Sequence, residues 1–557
     1  MLKHPLRFLP FAVALAWAVD LFFWQKNAGL SFTLWTLLVL GSGFYLVHAE
    51  GQRIHWSGWL LGILALTMSA APLLRLEPLT RFLNTLLTLL AIGLAILTAR
   101  TGHWLYYRLV DWIAGGFELF IAAFTRATDL FRAAPAPLGE DGKPIAKPAS
   151  PWRKLWDIGW RVILGLMLAF PIVMILGALL ASADPIFADK LKGLLEIFNI
   201  ERLPEYIFRS AYVLILAYIF AGLLVQTVAP TKQAERPDPH KPWMKGFLGP
   251  IETGIILASV DILFAAFVIV QFSYFFGGAT ANINAAGYTF SEYAVKGFNE
   301  LVTVAVLSLG LYLTLSLINR RETTNHQRSF TWFSVLLFGL VLVMLVSSWQ
   351  RLGLYEDAYG FTRLRTYTHL FIPWLGALLV VVILLEIFNR RGHFGLALWI
   401  FSIGFALTLM AVNVDGYIAH QNTTRAVKDG KFDVVETLNT DSARWTVDED
   451  HFDFSYLSEL SDDAVPALFS EYQQDHPEAV HDLLGAQLSC RAAILTGTAT
   501  RPWISYNIGE ARARQILLDP ANQSLWSAYP VSSSDRGDYT VELNGESWNC
   551  ISWHYAD

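Results

Sequence analysis

The chain has 557 residues, 54% of them hydrophobic and only 16% charged, with a net charge of −6 and a mean hydropathy of +0.41. Soluble domains average about 25% charged residues, so these values exclude an ordinary soluble protein and place most of the chain in lipid. They also exclude nucleic-acid binding, which needs a clustered basic face: residues 421–557 hold 22 acidic and 9 basic residues, and the excess of basic residues lies in the apolar part.

The start, Met1–Arg7, is basic and runs directly into Phe8–Trp24. No polar mature stretch follows a small-residue cleavage site, so an uncleaved first span is expected and not a signal peptide. About 20 mostly apolar residues cross the hydrocarbon, which predicts spans near Leu6–Trp24, Leu30–His48, Trp56–Leu74 and Leu79–Thr98. Gly102–Arg132 mixes Trp104, Trp112, Ile113, Phe117 and Phe120 with Arg108, Asp111 and Arg126, the pattern of an amphipathic helix along the inner membrane surface. Ala133–Ser150, rich in Pro, Ala and Lys, is expected to be a flexible cytoplasmic linker. Spans resume near Ile158–Ala181, Tyr206–Val228, Ile251–Phe276, Phe298–Ile318, Phe330–Ser348, Leu370–Phe388 and Phe394–Val414, about eleven in all. Pro171 predicts a kink, and Ser182–Pro204 is too polar to span.

Orientation follows from the arginines. Arg320 and Arg321 close one span, Arg390 and Arg391 another, and basic residues on short connections stay in the cytoplasm. The N-terminus is then cytoplasmic and residues 421–557 are extracytoplasmic. The expected fold is an all-α polytopic membrane protein with a small, mainly helical C-terminal domain ending in a β-hairpin. Its parts are a four-span bundle with an interfacial helix (1–132), a linker (133–151), a seven-span core (152–420) and the C-terminal domain (421–557).

In that domain Ser461-Asp462-Asp463 is expected to cap a helix through Glu471, Asp475 and Pro477 to start the next, and Tyr506–Leu518 to form a third. Asn544-Gly545 between Asp538–Leu543 and Glu546–Trp553 predicts a hairpin with Val541 opposite Trp548 and Tyr539 opposite Cys550. Cys490 and Cys550 are the two cysteines of the chain. An exported domain permits a disulfide between them; two buried free thiols are the other reading. No metal site and no cofactor are expected, since the cysteines lack histidines at ligand spacing.

Asp261 is the charge deepest in a span. It must face protein or water, or be protonated, as a proton relay or as a partner of a hydroxyl on the next helix. Asp20, Arg161, Glu252 and Glu386 lie nearer span ends, where side chains can reach water. The richest outer connection is Ser347–Arg365, with Arg351, Tyr355, Tyr359, Arg363 and Arg365; Tyr293, Glu300, Asn413 and Asp415 lie on the same side in this topology. Arginine's planar fork suits carboxylate or phosphate. Two readings stand: the acids pair with the arginines and staple the helix ends, or the arginines line a pocket for an anionic small molecule or headgroup.

Four stretches carry a resemblance: SADPIF from Ser182, YTFSEYAVKGFNEL from Tyr288, RLGLYEDAYGFTRLR from Arg351, and NVDGYIAHQNTTR from Asn413 followed by YLSELSDDAVPAL from Tyr456. By these the chain resembles an uncharacterised bacterial integral-membrane family, domain of unknown function 4173, related to the 4153 set, over roughly Pro151 to Ser470. Val414 stands where that family's motif has proline. The resemblance implies a bacterial inner-membrane protein and no particular activity, catalytic residue or ligand. The leading expectation is a non-enzymatic envelope protein that binds or senses an anionic ligand or lipid headgroup at the outer face. Arg351, Arg363 and Arg365 would hold the anion, Tyr293, Tyr355 and Tyr359 would orient it, and Glu300 and Asp415 would position the arginines. A proton-coupled transporter or channel built on Asp261, and a lipid-linked transferase or hydrolase, are the alternatives. Membrane lipids are the expected partners.

Overall fold

The structure is a computed structural model describing residues 4–130, 203–230, 247–276, 298–320, 323–429, 454–497, 501–533, 539–543 and 546–550. Among these, ten helical segments are long and apolar enough to cross a membrane: Pro5–Phe23, Leu30–Ala49, Trp56–Leu74, Pro78–Thr98, Pro204–Val228, Pro250–Gln271, Phe298–Ile318, Thr324–Asp357, Arg363–Ile387 and Arg391–Ala411. The chain is an all-α polytopic membrane protein. The expected span at Ile158–Ala181 with Pro171, the linker, and most of Ser182–Pro204 lie outside the described residues.

In chain order the helices are α1 (Phe8–Phe23), α2 (Leu30–Ala49), α3 (Trp56–Ser69), α4 (Ala71–Leu74), α5 (Pro78–Thr98), α6 (Leu109–Thr125), α7 (Leu203–Val228), α8 (Pro250–Phe276), α9 (Phe298–Ile318), α10 (Thr324–Tyr359), α11 (Arg363–Ile387), α12 (Phe394–Ala411) and α13 (Val414–Asp429). The C-terminal domain adds α14 (Phe454–Glu459), α15 (Val465–Tyr472), α16 (Glu478–Gly497), α17 (Ile508–Leu517) and α18 (Pro520–Trp526). Its strands are β1 (Val531–Ser533), β2 (Tyr539–Leu543) and β3 (Glu546–Cys550).

The chain divides into two compact units. In the first, comprising 1–24, 42–52 and 118–231, α1 packs along α7. Asp20 is buried there, and its carboxylate accepts from Arg209 Nε (2.9 Å), Arg209 Nη2 (2.6 Å) and the Tyr212 hydroxyl. Trp24 stacks on Tyr212 and donates its indole N–H to Glu205 at 3.1 Å. A carboxylate the sequence allows to reach water from a span end is thus held by a partner on another helix.

The second unit comprises 25–41, 53–117 and 232–557. α8, α9, α10 and α11 share a core around Leu257, Leu301, Leu337, Phe338, Val341 and Leu379. Helix starts obey local rules: Glu77 accepts from Leu79 N (2.7 Å) and Thr80 N (2.8 Å) ahead of Pro78, and Asn507 accepts from Glu510 N (3.0 Å). Glu386 is buried, not solvated, and accepts from Tyr312 Oη (2.7 Å), Thr331 Oγ1 (2.9 Å) and Arg391 Nη2 (2.7 Å).

The largest departure from expectation is α10. Its 36 residues span about 54 Å, well beyond about 30 Å of hydrocarbon. Arg351, Tyr355 and Tyr359 therefore ride on a continuous helix and not on a loop. No proline interrupts the segment, and the helix stops only at Gly360, whose φ of 75° leaves the helical region. Three residues, 360–362, then turn the chain into α11.

The C-terminal domain is helical with one three-stranded antiparallel sheet in the order β1-β2-β3. The hairpin register pairs Val541 with Trp548 and Tyr539 with Cys550, as the Asn-Gly turn predicts; β1 is an addition, pairing Val531 with Val541. Cys490 on α16 and Cys550 on β3 are joined by a disulfide with Cα atoms 5.5 Å apart. The core of the domain, with Leu468, Leu484 and Leu488, is continuous with Leu409, Val414 and Ile418 at the end of the bundle. Ser461 makes no side-chain cap; a 3-10 turn, Asp462–Ala464, leads into α15 instead.

Candidate functional site

The segments 25–30, 72–77, 360–363 and 413–415 meet the C-terminal domain at one end of the bundle. At the centre of this junction Arg363, on the first turn of α11, holds Asp415, on the first turn of α13. Arg363 Nε reaches Oδ1 at 2.8 Å and Nη2 reaches Oδ2 at 2.7 Å. Asp415 is fully buried and also accepts from Ser461 N at 2.7 Å. The Arg363 backbone N–H donates to Tyr456 Oη at 2.6 Å. Asn413 donates to Asp463 O at 2.6 Å and accepts from Gly416 N at 3.0 Å, capping α13. Asp463 Oδ2 accepts from Leu76 N at 2.6 Å, and Arg75 donates to Met410 O (3.0 Å) and Ala411 O (2.9 Å).

This junction sets its own protonation. Burial pushes the Asp415 carboxyl up, but the Arg363 hydrogen bonds and charge, with Ser461, more than offset it and leave it below the usual range. Burial raises Asp463 to about 6, against the pull of the Leu76 N–H and of Arg75. Burial also raises Glu77, opposed by its bonds to Thr80 and Leu79. The Tyr456 hydroxyl is pushed up to about 12, chiefly by burial.

A second cluster lies where α10 meets α11. Arg365 donates through Nη1 to Tyr359 O (2.9 Å) and Gly360 O (2.6 Å), and its guanidinium stacks 3.8 Å from the centre of the Tyr355 ring. From α13, Arg425 Nε donates to Asp357 O at 2.9 Å, and Asn422 bonds both ways to the Phe361 backbone (2.7 and 2.9 Å). Two guanidinium groups thus converge on the Asp357–Gly360 turn. One helical turn along from Arg365, His369 Nδ1 lies 2.7 Å from Glu356 Oε2, against the edge of Trp349. A third cluster joins Glu471, which is buried, to His420 Nδ1 (2.5 Å) and His476 Nε2 (2.9 Å).

The expected binding residues therefore separate. Arg363 and Asp415 are joined with each other, Asn413 caps a helix, and Arg351 is buried on α10. Arg365, Tyr355 and Tyr359 do come together. Glu300 is exposed on the first turn of α9 and makes no ion pair with a described residue, so it does not position the arginines. Tyr293 lies outside the described residues. Sequence reasoning missed Tyr456, Asp463, Arg425, His369 with Glu356, and Glu471. Glu356, Arg425, Tyr456 and Asp463 stand in the motifs that carry the resemblance, but nothing in the sequence shows which partners they meet; His369 and Glu471 lie outside those motifs. No group of three or more His, Cys, Asp or Glu side chains suited to a metal occurs among the described residues.

Residues 58–470 match the family described as "Domain of unknown function (DUF4153)". The chain belongs to that family. The match is to the related 4153 set and not to the 4173 family itself, and it starts at residue 58, so it takes in nearly all of the third span and the fourth, which the resemblance leaves out. Arg363, Asp415, Tyr456, Asp463 and Glu77 all fall inside it; Glu471 and the disulfide follow its end. No curated protein and no solved structure matches the chain.

Proposed function

We propose that this DUF4153 protein recognises an anionic group, borne by a lipid headgroup or a small molecule, at the end of the bundle that carries the C-terminal domain. The observation behind the proposal is the convergence of Arg365 and Arg425 on the Asp357–Gly360 turn. Among the described residues the Arg365 guanidinium has no carboxylate partner, in contrast to Arg363. Part of its role is to satisfy the last carbonyls of α10, and the edge of the fork left over is the surface offered to phosphate or carboxylate. Arg320, Arg390 and Arg391, on connections at the opposite ends of these helices, support a cytoplasmic location for those ends and an extracytoplasmic C-terminal domain.

The test is the thermal midpoint of the purified full chain with phosphatidylglycerol micelles and, separately, with inorganic phosphate. A rise with the lipid alone assigns a headgroup, and a rise with both assigns the free anion. The rise is expected to vanish in Arg365→Ala and to persist in part in Arg365→Lys. No shift in the unsubstituted protein, or an equal shift in Arg365→Ala, overturns the reading.

A second reading, proton-coupled transport, is favoured by one observation. Asp261, near the middle of α8, is 3% exposed, and neither carboxylate oxygen has a hydrogen-bond partner among the described residues. An orphan carboxyl in a membrane span is costly unless it works. Proteoliposomes carrying a trapped pH dye test this: a proton flux abolished by Asp261→Asn supports transport, and a flux unaffected by Asp261→Asn or absent from the native protein counts against it.

A further inference from the structure

From Phe454 onward, the large hydrophobic side chains left exposed among the described residues are two, Trp503 at 68% and Tyr506 at 48%. Both stand on one turn between α16 and α17. Ile504 and Ser505 between them are buried and hold the turn in place. The same turn is bonded to the ends of membrane-crossing helices. The backbone N–H of Leu30, the first residue of α2, donates to Tyr506 O at 3.1 Å. Asn507 Nδ2 donates to Pro72 O at 2.8 Å and to Arg75 O at 3.3 Å, at the end of the segment Trp56–Leu74. Gly29 lies so close to the backbone of Ser505 and Tyr506 that a Cβ there would strike their carbonyls.

These contacts fix depth. The hydrophobic segments of α2 and of α3 with α4 begin and end here, so the turn lies where hydrocarbon gives way to water. That layer is where Trp and Tyr rings are enriched, with an apolar body in the acyl boundary and an N–H or O–H among the headgroups. We infer that the turn 502–507 is a membrane-interface anchor, with the rings of Trp503 and Tyr506 seated in the headgroup layer of the bilayer. The contact is aromatic, since the arginine beside it, Arg501, is taken up by Glu510 at 3.1 Å. The anchor is therefore indifferent to lipid charge, unlike the anion site proposed above.

The full chain is tested in nanodiscs of phosphatidylcholine, with and without phosphatidylglycerol, carrying one spin label at Trp503→Cys, Tyr506→Cys or the exposed Gln523→Cys. Labels at 503 and 506 are expected to admit oxygen and exclude a water-soluble nickel relaxant at least about threefold more strongly than the label at 523, equally in both lipid mixtures. Nickel access at 503 equal to that at 523 overturns the inference. Exclusion of both relaxants, the signature of a contact with a second copy, also overturns it. A parallel measurement needs no substitution: photoactivatable phosphatidylcholine added to the native protein should leave adducts on the peptide holding Trp503 and Tyr506, and adducts confined to the spans reject the anchor.

Discussion

Arg363 meets Asp415 through two hydrogen bonds of 2.8 and 2.7 Å, and the carboxylate it holds is fully buried. Such a pair contributes less through its own attraction than through what its loss leaves behind. Arg363→Ala strands a buried charge at the junction and is expected to destabilise the protein by about 3–5 kcal/mol. Arg363→Lys keeps the charge but not the fork, so it recovers only part of this. The double change Arg363→Met with Asp415→Leu should recover most of it. Thermal unfolding in detergent measures all three, and a double variant no better than Arg363→Ala refutes the account.

Asp463 and Asp415 respond to pH in opposite senses. Burial lifts Asp463 from 3.8 to about 6, so folding favours its protonated form. Its contribution is complete below about pH 4 and is lost as pH rises through about 6. Asp415 lies below 3.8, so its contribution is present above that value and is lost as pH falls through its own depressed pKa. Glu77 is raised and acts in the same sense as Asp463. Stability should peak on the acid side of neutrality and decline toward pH 7 by at most about 3 kcal/mol from Asp463. The charged groups around Asp463 are Arg75, Asp415 and Asp462. Asp463→Asn should flatten most of the decline, leaving the smaller slope of Glu77 and the acid limb of Asp415. A profile unchanged by Asp463→Asn shows that the carboxyl does not titrate in this range.

The legible parts of this protein were those set by local rules. Hydrophobic length marked the spans, and Asn544-Gly545 fixed a register in which Val541 faces Trp548. What local rules could not supply was how residues hundreds of positions apart share a partner. Asp463 reads as a first-turn acid until it accepts from Leu76, and nothing in the segment around Ser461 tells that its N–H meets Asp415. Arg363 and Arg365 look equivalent in sequence. They differ because Asp415 reaches one, while the other turns back onto Tyr355 and the carbonyls of its own turn. α10 outruns its hydrophobic stretch for a related reason, since amphiphilic residues past the hydrocarbon do not end a helix without a breaker such as Gly360.

Cys490 and Cys550 tie α16 to the last strand across a separation of 60 residues. In the chain-entropy view such a closure stabilises by about 4 kcal/mol. Both half-cystines are buried and Val541, on the neighbouring strand, is fully buried in the same core. Cys490→Ala with Cys550→Ala should therefore lower the unfolding midpoint and speed proteolysis of the hairpin first, while the spans stay intact. Equal proteolysis rates of the oxidised protein and the double variant would show that packing alone holds the sheet.

The end of the bundle opposite the C-terminal domain carries Arg320, Arg390 and Arg391 on short connections, and Arg391 donates to the buried Glu386 at 2.7 Å. Basic residues resist translocation on short connections, so these should remain in the cytoplasm. Because the segments at 25–30, 72–77, 360–363 and 413–415 all meet the C-terminal domain, they must share its side, and a single measurement fixes all of them. Alkaline phosphatase fused after Asp557 should be active and green fluorescent protein at the same point dark, as an exported location requires. Moving the phosphatase to follow Arg391 should silence it. A fusion after Asp557 active only in the cytoplasm would invert every span of this unit and remove the oxidising compartment that the Cys490–Cys550 bond needs.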